Sequence, residues 1–251
     1  MSPSPPAGSV KLASGQAVWA PGPREPQLVR AEVHVWRVDL MVVADDVACC
    51  LSADETARAA RIVGERERAL WARSRGVLRA LLGRYLDEDP TATELVVGPH
   101  GKPQLADAGG RPRRPFFNLS HSQHIALYAF TATGAIGVDV QLARDANAGA
   151  ASDHVALARR MFGEAEAQRL NALAPTMRER EFLRLWTRHE AELKRRGTGI
   201  GAVESEADGS TAAEEARTAG PRILELDVGA RGAAAVAFAY EASELRLWEW
   251  R

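Results

Sequence analysis

Between Met177 and Arg196 the large apolar residues Phe182, Leu185, Trp186 and Leu193 recur at helical spacing, and everything else in the chain has to accommodate that helix. Glycines at 197, 199 and 201 stop it, after Lys194, Arg195 and Arg196 in the last turn, as a helix C-terminus prefers. Trp186, Glu190 and Lys194 follow one another at intervals of four and therefore stack along one face. That face carries an apolar anchor, a carboxylate and an ammonium in a row. Taken alone, the row is a Glu–Lys surface pair beside a core tryptophan, worth a few tenths of a kcal/mol.

The remaining elements alternate in kind. Residues 1–31 are rich in Pro, Gly, Ser and Ala without an apolar period, which predicts a disordered extension with Val18-Trp19 as a pair able to dock. Order is expected from Val33 to Val38, a half-buried strand by its alternation. Ser52 with Glu55 three residues on reads as a capping box. Arg58 to Arg84 is helical in pattern and dense in arginine, and guanidinium forks match phosphate oxygens. A short strand at Glu94–Val97 leads to the turn-rich Gly98-Pro99-His100-Gly101-Lys102-Pro103, with a lysine at its tip. Ile125–Phe130 makes a buried strand, and Gly137-Val138-Asp139-Val140 places Asp139 on the face opposite Val138 and Val140. A helix over Ala156–Leu170 precedes the long one, and Gly199–Gly220 reads as a loop with weak helical character at Ala212–Arg217. Strands at Ile223–Val228, Ala233–Tyr240 and Leu245–Trp250 close the chain. Each half thus holds strands and a long helix, which suggests two similar α+β lobes, 32–133 and 134–251.

Composition narrows the function. The chain has 251 residues, 46% hydrophobic and 26% charged, which suits one large or two small domains. A formal net charge of −1 gives no overall field for nucleic acid or an anionic membrane. Cys49 and Cys50 are adjacent, a spacing unsuited to an unstrained disulfide or a metal site. With no signal peptide and no long apolar run, the expected location is the cytoplasm.

Four motifs then agree in order and spacing: Gly101-Lys102-Pro103, Phe117-Asn118-Leu119-Ser120-His121-Ser122, Gly137-Val138-Asp139-Val140, and Trp186 followed by Glu190-Ala191 and Lys194. Together they resemble the 4′-phosphopantetheinyl transferases of the larger, surfactin-synthetase-activating type, over roughly residues 33–250. The resemblance implies an α+β pseudo-dimer, each lobe a small, mostly antiparallel sheet packed with a long helix, with the active site at the lobe interface. It implies a monomeric enzyme that uses Mg2+ to transfer the phosphopantetheine arm of coenzyme A to a serine of an apo acyl or peptidyl carrier protein, releasing adenosine 3′,5′-bisphosphate. By position, Asp139 and Glu190 would bind the metal, Lys194 the pyrophosphate, and Ser120 and His121 the nucleotide end. Lys102, Arg58, Arg66 and Arg75 fall near phosphate-holding positions. The chemistry suits these residue types, since magnesium takes one or two carboxylates together with phosphate oxygens and waters. Glu190 or a metal-ordered water would accept the serine proton.

The chain departs from that pattern at two places. His189 stands where the family often has lysine, and Gln141 where it often has a second acid. Gln141 can ligate through its carbonyl or orient a water but brings no charge. These departures motivate an alternative, a catalytically impaired module that binds the carrier protein and coenzyme A; the retained Asp139, Glu190 and Lys194 argue for the enzyme.

Overall fold

The computed structural model describes residues 9–11, 18–98, 101–107, 110–143, 153–197, 221–239, 242 and 244–251. The strands are β1 (Ser9–Lys11), β2 (Ala20–Pro21), β3 (Glu32–Asp39), β4 (Leu95–Val97), β5 (Pro103–Leu105), β6 (Phe116–Ser122), β7 (Ile125–Thr131), β8 (Ile136–Leu142), β9 (Arg222–Leu226), β10 (Gly232–Phe238) and β11 (Glu244–Glu249). The helices are α1 (Ala53–Ala60), α2 (Glu65–Leu86), α3 (His154–Phe162), α4 (Glu164–Asn171) and α5 (Pro175–Arg196). The weak helical segment expected at Ala212–Arg217 lies outside the described residues.

Local chemistry accounts for the helix boundaries. Ser52 and Glu55 form the expected capping box on α1. The arginine-rich stretch is two helices rather than one, broken at Arg61–Gly64, where Gly64 in an extended conformation becomes the N-cap of α2. α5 begins with Pro175 in its first turn and ends on Gly197 in the left-handed conformation that glycine adopts at little cost.

Among the described residues the strands form a six-stranded sheet ordered β1-β11-β3-β7-β6 with β2 also on β11, a three-stranded sheet ordered β8-β10-β9, and a β4–β5 pair. The alternation of each strand sorts the layers. Val33, Val35, Leu127 and Ala129 of the larger sheet pack against Ile136, Val138, Val140, Ala234 and Val236 of the smaller. On its opposite face the larger sheet sends Trp36, Val38, Tyr128 and Phe130 against Val77, Leu78, Leu81 and Leu82 of α2. Helix α5 covers the outer face of the smaller sheet, where Ala191 meets Ala235 and Ala237.

Helix and sheet approach each other closely at Gly137. A Cβ there would stand 2.0 Å from the Ala191 carbonyl oxygen and 2.4 Å from the Arg195 nitrogen, so the helix backbone rests directly on β8.

Two features differ from the sequence reading. β11 belongs to the C-terminal half but runs parallel to β3, Leu245 opposite Val33 and Trp248 opposite Trp36, so the larger sheet draws on both halves. And order begins before Val33: Ala20-Pro21 pairs with β11, and the Trp19 indole donates to the Asp227 carbonyl beneath the Arg37 guanidinium. Cys49 and Cys50 are free thiols.

Candidate active site

A cleft of about 550 Å3 opens where β6, β8 and α5 converge below the α1–α2 junction. It is lined by Asp139, Gln141, Glu190 and Lys194, by Ser120, His121 and Lys102, and by Arg58 and Arg75. The structure thus brings together nine of the residues expected at the site. Arg66 is exposed in the first turn of α2 and is not among the lining residues.

Strand alternation explains the placement of Asp139. Val138 and Val140 point into the inter-sheet core, so Asp139 points the other way, toward α5. Glu190 and Lys194, one turn apart, share the α5 face that looks back at it. Lys194 Nζ donates to Asp139 Oδ1 at 2.6 Å, to Ser120 Oγ at 2.9 Å and to the Val138 carbonyl at 3.3 Å. Ser120 Oγ in turn donates to Asp139 Oδ1 at 2.8 Å.

Both acids are buried, Asp139 at 2% and Glu190 at 8% exposure. Asp139 Oδ2 and Glu190 Oε1 are buried without a hydrogen-bond partner among the described residues. Buried carboxylate oxygens left unpaired are costly, and a bound cation is one way of satisfying them. Burial, and then the negative charge of Asp139, raise the Glu190 pKa, while Lys194 partly offsets them. Among the described residues, no three His, Cys, Asp or Glu side chains gather into a metal cluster. A two-carboxylate site is open on most sides, which suits an ion that completes its shell with phosphate oxygens and waters.

The cationic groups fall into two sets. Lys102 Nζ donates to the Ile136 and Lys194 carbonyls at 3.1 and 2.9 Å, tying the β4–β5 turn to β8 and to the end of α5. Burial, and then the Lys194 charge, depress its pKa to about 8. At the far wall, Glu55 serves both Arg75 and Arg79, at 3.3 and 2.5 Å, while accepting from the Ser52 backbone at 3.1 Å. One carboxylate there faces several guanidinium groups, which leaves net positive charge toward the cleft. His121 is exposed at the rim, and its pKa is lowered by the surrounding protein and then by Lys194.

Trp71 and Asn118, the latter read only as part of the Phe117–Ser122 motif, also line the cleft without a role assigned to them from the sequence. Trp71 stands between Arg58 and Arg75, whose guanidinium carbons lie 5.6 and 5.7 Å from its ring. Its position four before Arg75 on the same helix face was the available signal. Asn118 is buried at 4% exposure, and its Oδ1 accepts from the Val138 backbone N–H at 2.8 Å. His189 is absent from the lining: its ring meets Phe162 edge-on, with centroids 5.6 Å apart, on another side of α5. Among the described residues no helix is long and apolar enough to cross a membrane.

Comparison with known proteins agrees with this geometry. The profile of the 4′-phosphopantetheinyl transferase superfamily matches residues 135–235, a span that holds Asp139, Gln141, Glu190 and Lys194. The 4′-phosphopantetheinyl transferase HetI of Nostoc sp. (strain PCC 7120) is 38% identical over 192 residues, covering 75% of this chain and 78% of that protein. The slr0495 protein of Synechocystis sp. (strain PCC 6803) is 38% identical over 151 residues, 60% of this chain and 58% of its own length. The 4′-phosphopantetheinyl transferase AcpT of Escherichia coli (strain K12) is 33% identical over 120 residues, 47% of this chain and 55% of that protein. With its α+β architecture and a relative of this identity spanning most of both chains, the protein belongs to the 4′-phosphopantetheinyl transferase superfamily.

Proposed function

We propose that this chain, as a monomer in the cytoplasm, transfers the 4′-phosphopantetheine arm of coenzyme A to a serine hydroxyl of an apo acyl or peptidyl carrier protein, releasing adenosine 3′,5′-bisphosphate. The observation that carries this is the pair of buried, unpartnered carboxylate oxygens of Asp139 and Glu190 beside the Lys194 ammonium. Asp139 and Glu190 would hold a magnesium ion, with Gln141 within reach through water, and the ion supplies Lewis-acid stabilisation of pyrophosphate charge. In the reaction a bond forms from the serine oxygen to the phosphorus bearing pantetheine. The bond from that phosphorus to the bridging oxygen breaks, and the electron pair leaves with the bisphosphate. Lys194 can then serve the developing charge on the leaving group, and Arg58, Arg75, Lys102, Ser120 and His121 hold the nucleotide end. Glu190 or a water ordered by the metal would accept the serine proton.

Two lobes, 32–133 and 134–251, related as a pseudo-dimer, fit the same reading. The cleft lies between β6 of the first and β8 and α5 of the second, although β11 crosses into the first lobe's sheet.

The test is incubation of apo carrier proteins with coenzyme A and magnesium, read by mass spectrometry. One added phosphopantetheine is expected, and none with Asp139→Ala or Glu190→Ala. A wild type that binds coenzyme A yet modifies no member of a panel of fatty-acid, polyketide and peptide carriers would favour the catalytically impaired binding module.

A further inference from the structure

β8 is an edge strand: β10 pairs with one side, and among the described residues no strand pairs with the other. From Ile136 to Val140 its residues are buried, where an unpaired backbone group is expensive. Two of its N–H groups are met by side chains of β6, and the Ile136 and Val138 carbonyls by Lys102 and Lys194. Asn118 Oδ1 accepts from Val138 N–H at 2.8 Å, and Ser122 Oγ accepts from Leu142 N–H at 3.0 Å. Asn118 and Ser122 are alternate inward positions of β6, with Ser120 between them bonding Asp139 directly. The inward face of a sheet is normally apolar, as it is in β7 beside it, where Leu127 and Ala129 fill the same layer. Polar residues there have a specific task.

We propose that Asn118 and Ser122 are positioning residues for Asp139: they fasten β8 on either side of it and so set how far its carboxylate stands from Glu190 on α5. Neither need touch substrate or ion. The ligands' supporting partners in metal sites typically govern metal affinity by about ten- to a hundredfold. The inference rests on the proposed metal role of Asp139, and on the proposed transfer only for its kinetic readout.

The experiment uses Mn2+ as the probe, titrated into the full chain with coenzyme A and followed by electron paramagnetic resonance, with thermal melts alongside. Asn118→Ala should weaken Mn2+ binding about tenfold and lower kcat similarly, leaving KM for the carrier protein within about twofold. Ser122→Ala should act in the same direction, and Ser122→Thr, which keeps the hydroxyl, should restore wild-type Mn2+ affinity. An Asn118→Ala protein that melts earlier yet binds Mn2+ as the wild type does would show a purely structural asparagine and overturn the proposal. Should that variant not fold, Ser122→Ala decides by the same criterion. A wild type that binds no Mn2+ also overturns it. One that binds Mn2+ but transfers nothing leaves the positioning role standing and removes only the transfer.

Discussion

Lys194 occupies the space beside Asp139 that a divalent cation would seek, and this predicts an effect of unusual sign. Its ammonium is 2.6 Å from Asp139 Oδ1, and the carboxylate is almost wholly buried. An ion approaching the protein in the absence of coenzyme A must displace that ammonium or endure its repulsion. A hydrogen bond between charged groups contributes about 1.5–3 kcal/mol, which at ~1.4 kcal/mol per decade is a factor of about ten to a hundred in binding. Lys194→Met keeps the side chain's stem and removes the competition. The variant should therefore bind Mn2+ alone about ten- to a hundredfold more tightly, while binding coenzyme A more weakly because the pyrophosphate loses its ammonium. Removing Lys194 also removes the influence that holds Glu190's pKa down, so the titration belongs on the alkaline side of neutrality, where a proton competes least with the ion for that carboxylate. Electron paramagnetic resonance reads the Mn2+ affinity and calorimetry the coenzyme A affinity. Unchanged or weaker Mn2+ binding in Lys194→Met would refute the idea that the lysine holds the metal's place.

Gly137→Ala forces a methyl group against backbone atoms of α5 that cannot rotate away; overpacking of this kind costs about 1–3 kcal/mol, so the melting temperature should fall by several degrees and Mn2+ affinity with it, and wild-type values for both would refute the close-packing account. Glu190 has its pKa raised by burial and then by Asp139, so the stability its protonated form contributes is complete below 4.5 and lost as pH rises through the raised value. Metal-free Glu190→Gln should therefore melt progressively higher than the wild type between pH ~4 and ~8 while losing transfer; parallel melting curves across that range would contradict this. His189→Lys should change transfer by less than about tenfold, ~1.4 kcal/mol of barrier, because the ring packs on Phe162 outside the cleft. A loss beyond about a hundredfold, with disappearance of a limb on the acid side of the usual histidine range, where burial and then the Arg196 charge hold this imidazole, would instead make His189 the base.

The site's central residues were legible because each rests on a local period. Glu190 and Lys194 share a helix face by their spacing of four, and Asp139 parts from Val138 and Val140 by strand alternation. The parallel pairing of Glu244–Glu249 with Glu32–Arg37 has no such signature: the partners are some two hundred residues apart, and nothing in either strand names the other. The docking of Ala20-Pro21 was hidden for the same reason, since a two-residue strand exists only because β11 offers an edge to it. The break at Arg61–Gly64 was obscured by arginines on both sides, which are good helix formers and carry the pattern across the gap.

The Asn118–Ser122 segment shows a deeper limit, one of interpretation rather than distance. Its serines and histidine read naturally as ligand-binding groups, and Ser120 and His121 do line the cleft. Yet alternation sends Asn118, Ser120 and Ser122 inward together, onto a face whose neighbours are valine, leucine and alanine. Polar groups survive there only with partners, and the partner at that depth is the unpaired edge of β8. A run of polar residues at alternate positions of a strand that must be buried is thus itself a sign that another strand's edge lies open beside it. The sequence contained that sign, but reading it requires knowing that the strand is buried on the face in question, which here depends on a second sheet formed by residues 136–142 and 222–238. The same arrangement brings Ser120 to the cleft, where its hydroxyl donates to Asp139 and accepts from the Lys194 ammonium, so one polar position of β6 meets the two charged groups that β8 and α5 supply.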